Sequence, residues 1–317
     1  MPLDKPSLTL RQFLLVWEPI AKPKYKPSTW KNLQSAMRRV LTYFGDMKLS
    51  DVSTEVLEGF VAKQQTSPAH VRNLVKYFRI IWKSAKKWGY VNFNPFSEVE
   101  FPRSSRKEPR FFTELELRVI LNGATEPDRT LYWLLAQAAI RIGEAIALTW
   151  DTVDFELGNI SIRTSVWRGE IQTPKSNASV RTIPLSPLLS EHLAKYQEFW
   201  TPNPYNLLFA NTKGKPWKAD NLLVHHLHPL LKRVGIQRTG FHAFRHASAT
   251  ILDRMKAPLK VRQQRMGHAS AEITLSRYTH VIDEDARAVA ASFDQFIGPS
   301  KPSGSTVKRN KDPFIIF

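Results

Sequence analysis

The sequence contains no cysteine. That absence excludes disulfides, thiolate-ligated zinc and cysteine nucleophiles, and it fits a cytoplasmic protein. No run of about 18 apolar residues occurs, so no membrane span is expected. The first residues, MPLDKPSLTLRQFLLVW, lack a charged stretch followed by an apolar one, so no signal peptide is expected. No Walker loop, no carboxylate cluster with two-metal spacing and no internal repeat is evident.

What the chain has in excess is positive charge. Its 317 residues hold 46 Lys+Arg against 28 Asp+Glu, a net charge of +18, with a sequence pI near 10.1. A polyanionic partner is implied, although nucleic acid, an anionic membrane surface and the ribosome would each satisfy the charge alone. Residues 1–108 hold 19 basic and 9 acidic residues, net +10, and the remaining 209 hold 27 and 19, net +8. The first part is therefore the denser in charge. A hydrophobic content of 42% is enough for a packed core, and the length suggests two domains.

Residues 8–98 read as helical. Ser28 is expected to cap a helix with apolar positions Trp30, Leu33, Met37, Leu41 and Phe44, ended by Gly45. Over 69–89, Val71, Leu74, Val75, Phe78, Ile81, Trp82 and Ala85 recur at helical spacing. Arg72, Lys76, Arg79, Lys83 and Lys86 step along the other side. A solvated face is the ordinary reading of such a stripe, but five like charges at this spacing repel one another without an anionic partner. They are read here as a phosphate-contacting face. Residues 99–112, VEFPRSSRKEPRFF, break the period with two prolines, two serines and four basic residues, Arg103 and Arg106 among them. They read as a basic interdomain linker.

Thr113 and Glu116 form a capping box for a helix ending near Gly123. A helix over about 129–138 follows, then a tight turn near Gly143 into another helix ending before Trp150. Ile160, Ile162, Thr164 and Val166 alternate as a strand. Short strands around 170–174 and 180–185 flank the turn Pro174-Lys175-Ser176-Asn177. From 188 to 297 the chain reads as mainly helical, and Gly298 with the polar run after it closes the fold.

Four local patterns in this second part can carry chemistry. Arg141 sits in an apolar stretch and, if buried, needs an anion, which Glu144 can supply internally. Lys175 lies in a turn between strands, where a lysine is ordinarily only solvated. His242 and Arg245 are three apart at a helix start and can share one face. Gly267-His268 precedes Tyr278 by ten residues, and a lone helical tyrosine is usually packing. None of these decides the function alone, but their order does.

That order resembles the tyrosine recombinase (phage integrase) family, and the resemblance covers nearly the whole chain. IRIGEAIALTW at 140–150 looks like its first arginine box, and TPKSNASVRTIPL at 173–185 like its lysine hairpin. HAFRHASAT at 242–250 and MGHASAEITLSRYTHV at 266–281 look like its second box and nucleophile segment. The resemblance implies a catalytic set of Arg141, Lys175, His242, Arg245, His268 and Tyr278, with Glu144 as an orienting acid. Ala138-Ala139 stand where the family usually has Thr-Gly, and Phe244 where Leu is usual; neither change removes a functional group. The implied fold is mainly α, with a small antiparallel β-sheet in the catalytic domain. A helical core-type DNA-binding domain (1–98) and the linker (99–112) precede an α+β catalytic domain (113–298) and a flexible tail (299–317).

The implied function is site-specific recombination through a 3′-phosphotyrosine, without ATP, metal or other cofactor, by a mobile-element integrase on double-stranded DNA. A homotetramer on DNA is expected, with a monomer in solution and an accessory DNA-bending protein compatible with it, in the cytoplasm at the nucleoid. The helical pattern starting by about residue 8 suggests two domains only, binding core half-sites alone. Val289, Phe293 and Phe296 are expected on one side of a helix docking on a neighbouring protomer. Phe314 to Phe317 either add to that contact or belong to a tail with no role. Which histidine acts as base stays open; His246 and His280 are read as structural. The rival readings are a type IB topoisomerase and a non-catalytic DNA-binding regulator. A covalent adduct on nicked DNA separates an enzyme from a regulator, and site preference separates a recombinase from a topoisomerase.

Overall fold

The computed structural model describes residues 5–102, 110–173 and 180–267. The central linker residues, the turn at 174–177, the helix expected after Val281 and the tail lie outside the described residues. The chain divides into two compact units between Pro109 and Arg110.

The first unit is built from helices α1 (Leu10–Ala21), α2 (Pro27–Phe44), α3 (Thr54–Ala62) and α4 (Pro68–Lys87). Capping sets their starts: Thr9 and Gln12 form a reciprocal box at α1, and the Ser67 hydroxyl accepts from the His70 amide at α4. Pro68 occupies the first turn of α4, where no amide donor is missed. All seven apolar positions read for α4 are buried. Their core partners include Phe13, Trp17, Leu33, Val40, Phe44 and Phe60. The helix expected to start at Ser28 starts instead at Pro27, after Lys26. Pro27 is already set at the dihedral of a first helical turn, and Ser28 is buried inside the helix.

The second unit opens with α5 (Glu114–Gly123), capped by the Thr113–Glu116 box as the sequence indicates. Helix α6 (Asp128–Ala138) stops at Ala139, which is left-handed at φ 55° and ψ 24°. The sharp turn therefore falls at Ala139 and not near Gly143, and α7 (Ile142–Ala145) is a single turn. Gly143 answers a different need, since a Cβ there would come within 2.7 Å of the Val166 carbonyl oxygen.

The alternating run from Ile160 to Val166 is two strands, not one. Strands β1 (Val153–Asp154), β2 (Asn159–Ile162) and β5 (Arg181–Pro184) form an antiparallel sheet in the order β1-β2-β5. Strands β3 (Ser165–Trp167) and β4 (Glu170–Gln172) form a separate hairpin. The register Ile160↔Ile183 and Ile162↔Arg181 sets Ile183 and Arg181 on the buried side of β5. Helix α8 (Pro187–Glu198) follows, then α9 (Ala219–Leu222), which runs through a π-turn at Leu223–Leu227 into α10 (His228–Arg233). Helices α11 (His242–Arg254) and α12 (Leu259–Met266) complete the described part. The main core gathers α5, α6, the strands, α8 and the first turns of α11, with Tyr132 stacked on Phe244. The fold is mainly α with small antiparallel sheets.

Candidate functional site

Arg141 is the residue before α7, and its carbonyl starts that turn. Glu144 reaches back to it. One carboxylate oxygen, Oε2, accepts from the Arg141 amide at 3.0 Å, while Oε1 accepts from Arg141 Nη1 at 2.8 Å. The two side chains differ in exposure, 39% for Arg141 and 5% for Glu144. Arg141 thus presents a guanidinium to solvent from a buried carboxylate seat.

The same Oε2 also accepts Nη2 of Arg181 at 2.9 Å. Arg181 is 3% exposed in its side chain. A buried guanidinium needs an anion and further acceptors to offset desolvation, and Arg181 has both, since its Nε donates to the Arg265 carbonyl at 3.0 Å. Burial pushes the Glu144 carboxyl up. Arg181, by charge and hydrogen bond, and then Arg141 outweigh burial and hold it below its ordinary range. The carboxylate therefore stays ionised at neutral pH.

Arg245 lies one turn into α11 and is 2% exposed. Its Nη1 donates to the Ala139 carbonyl and its Nη2 to the Met266 carbonyl, both at 2.5 Å. Between these acceptors Ala139, Ala249 and Met266 form a small buried cluster. A closed circuit results. It runs from Arg141 to Glu144, Arg181, the end of α12, Arg245, Ala139 and back through Ile140. Arg265 braces it, donating to the Gln137 carbonyl through Nη2 at 2.8 Å and to the Pro184 carbonyl through Nη1 at 3.3 Å. Three guanidiniums and one carboxylate leave this circuit positive, which suits an anionic substrate.

His242 is the first residue of α11 and is exposed. Its ring lies 6.0 Å from that of His246, edge to face. Of the expected site residues, the structure brings together Arg141, Glu144 and Arg245. Lys175, His268, Tyr278, Arg103 and Arg106 lie outside the described residues; Gly267, just before His268, is in contact with Arg181.

Arg181 is absent from the sequence-level set. Its signal is the alternation Arg181-Thr182-Ile183-Pro184, which is buried, exposed, buried, exposed. Such a pattern places the arginine on the core side of its strand.

On the first unit all five stripe residues of α4 are exposed. Two of them also do structural work. Arg79 Nη2 donates to the Phe96 carbonyl at 2.8 Å and its guanidinium lies over the Phe96 ring. Arg72 holds the Pro102 carbonyl at 3.0 Å and lies over Phe101 in the same way. Beside the stripe, a cleft between α2 and α4 is lined by Asn32, Ser35, Arg39, His70, Asn73 and Tyr77. These polar side chains recur at 32, 35, 39 and at 70, 73, 77, a helical spacing that the sequence already displays.

A basic helical unit is thus joined in one chain to an α+β unit that sets two arginines on one buried carboxylate and a third in the same circuit, an arrangement suited to a polyanionic partner. The comparisons with known proteins make this specific. The pattern of the Phage integrase family matches residues 110–285, more than half of the chain, and that of the Phage integrase, N-terminal SAM-like domain matches residues 9–64. A tyrosine recombinase XerC-like protein of Caldanaerobacter subterraneus subsp. tengcongensis is 25% identical, over 93% of this chain and 85% of its own. Prophage integrase IntR of Escherichia coli K12 is 23% identical, over 85% of this chain and 75% of its own. Among solved structures, the Tn1549 transposon integrase in complex with a circular intermediate DNA superposes with a TM-score of 0.79 at 20% identity, covering 90% of this chain and all of that one. A lambda integrase dimer bound to a COC′ core site gives 0.68 at 20% identity, covering 86% and 78%. The chain belongs to the phage integrase family of tyrosine recombinases.

Proposed function

We propose that this chain is a site-specific DNA recombinase, the integrase of a prophage or other mobile element, which cleaves and rejoins strands through a 3′-phosphotyrosine on Tyr278. The observation that carries the reading is the positive circuit that holds Arg141 and Arg245 in one network, closed at the α12 end that precedes His268 and Tyr278 in the sequence. The solved complexes of related fold contain DNA, which supports duplex DNA as the partner here.

A phosphodiester gains charge on its non-bridging oxygens when attacked. Guanidiniums are suited to that charge because they are planar, always ionised and bidentate. Arg141, half-exposed on its carboxylate seat, and Arg245, fixed between two carbonyls, stabilise the pentacoordinate transition state. Positive charge around a tyrosine nucleophile favours the phenolate over the phenol. Attack joins the tyrosine oxygen to phosphorus and releases the 5′ oxygen, which takes a proton from Lys175 as general acid. His242 and His268 hydrogen-bond the phosphate or accept the tyrosine proton. The phosphotyrosine conserves the bond energy, so rejoining by a 5′-hydroxyl needs no ATP and the clamp needs no metal.

In this reading residues 1–98 form a core-type DNA-binding domain, 99–112 a linker that also contacts DNA through Arg103 and Arg106, 113–298 the catalytic domain and 299–317 a tail. The stripe of α4 contacts phosphates, while the α2–α4 cleft offers asparagine, arginine and histidine groups able to read base edges. The proposed assembly on DNA is a homotetramer, with an accessory bending protein compatible with it, acting at the nucleoid.

The test is a nicked suicide duplex carrying the element's attachment sequence. Wild-type protein should form a covalent protein–DNA adduct at one position, and Tyr278→Phe none while still binding. Adducts scattered without site preference would point to a topoisomerase. Absence of any wild-type adduct would overturn the reading.

A further inference from the structure

We propose that Arg181 is a positioning residue for strand cleavage, holding the Arg141 seat and the start of the His268 segment through a single guanidinium. The inference rests on the recombinase reading above and assigns a role to a residue that touches no substrate.

Three chain segments meet at this side chain. Its Nη2 bonds Glu144 Oε2, the oxygen that also holds the Arg141 amide. Its Nε bonds the Arg265 carbonyl. Its guanidinium also lies beside Gly267, where an added Cβ would stand 2.7 Å from Nη1 and 2.9 Å from Cζ. Gly267 is also left-handed, at φ 60° and ψ 47°. Glycine is thus required twice at the residue that leads into His268, once by the backbone and once by the guanidinium. Arg181 itself opens β5, six residues after Lys175. The described ends nearest the proposed clamp and the proposed histidine, Glu144 and Gly267, both meet Arg181 here.

The arrangement has an electrostatic consequence. With Arg141 as its sole cation, Glu144 would cancel the charge that Arg141 must offer a phosphate. With Arg181 on Oε2, one carboxylate serves two guanidiniums, and the trio keeps a net positive charge. Lysine cannot reproduce this arrangement, because an ammonium has no planar fork to span Glu144 and the Arg265 carbonyl together.

The experiment compares R181K and R181M with wild type in three measurements: half-site binding by gel shift, single-turnover cleavage of the nicked suicide duplex, and thermal melting by circular dichroism. Misplacement of a positioned group by about 1 Å can lower a rate about 100-fold. R181M is therefore expected to cleave about 100-fold more slowly, with half-site affinity within about threefold of wild type. R181K, which keeps the charge and one bond, should recover part of that loss. Cleavage by R181M at the wild-type rate would overturn the inference while leaving the recombinase reading intact. So would R181K and R181M losing binding and cleavage in parallel with melting, which would reduce Arg181 to a general fold residue. A wild-type protein that forms no adduct would overturn both.

Discussion

The carbonyl of Ala139 accepts Nη1 of Arg245 at 2.5 Å across 106 residues of sequence. Ala139 reaches it from a left-handed backbone conformation, and its methyl is fully buried. That conformation costs an L-residue about 1–2 kcal/mol, whereas the buried methyl contributes about 0.8 kcal/mol. Ala139→Gly is therefore expected to change stability by less than about 1 kcal/mol. Ala139→Val places a β-branched side chain in that conformation against Ala249 and Met266, and should cost more than about 2 kcal/mol. Urea midpoints measure both. A tolerated valine would refute the left-handed turn.

Glu144 and Arg181 make a buried ion pair, so removing the anion leaves a guanidinium without its counter-charge. Glu144→Gln should cost about 3 kcal/mol at neutral pH. The folded-state pKa of Glu144 is lowered, so the carboxylate's contribution is fully present above its unfolded value of about 4.3. It is lost as pH falls through the lower folded value. The stability gap between wild type and Glu144→Gln should then narrow in acid. Midpoints that stay equally separated from neutral pH down to pH 3 would contradict the pairing.

The basic stripe of α4 divides by role. Lys76 and Lys83 are exposed, while Arg72 and Arg79 also hold the carbonyls of Pro102 and Phe96. The double variant Lys76→Ala/Lys83→Ala should leave melting unchanged and reduce the slope of log K against log salt by about 1.8. Arg79→Ala should weaken DNA binding and also lower stability by about 1 kcal/mol through its lost hydrogen bond. An unchanged salt slope in the lysine double variant would remove the stripe from the DNA interface.

The proposed division between acid and clamp predicts different chemical rescue. Lys175→Ala should cleave slowly on ordinary DNA and recover on a substrate whose 5′ bridging oxygen is sulfur, because a thiolate leaves without a proton. Arg141→Ala should not recover, since its loss is felt on the non-bridging oxygens. Equal rescue of the two variants, measured by single-turnover cleavage, would refute the division.

The parts of this molecule legible in the sequence are those set by neighbours. The seven apolar positions of α4 repeat with the helical period, and the Thr113–Glu116 box is complete within four residues. Arg141, Glu144 and Arg245 stand out because their types and order are distinctive. Arg181 does not, because a charged residue on a short strand reads as solvent-facing until its partner, 37 residues earlier, is known. Ile160 to Val166 alternates without a break, yet β2 and β3 pair with different strands, and pairing is not a local property. The turn at Ala139 is hidden for a related reason: alanine favours helix, and the Arg245 side chain that takes up its carbonyl lies 106 residues away.

The circuit around Arg245 is closed by bonds spanning 106, 84 and 37 residues. Contacts of such long range form late, because the intervening chain must be ordered before they reward it. During synthesis, Arg141 and Glu144 emerge well before Arg245 and Met266 exist. An unfinished chain on the ribosome can therefore carry every residue of the basic helical unit while the arginines proposed to clamp the phosphate still lack their mutual geometry. On the proposed reading, the unit that grips DNA is synthesised before the geometry that cuts it can close.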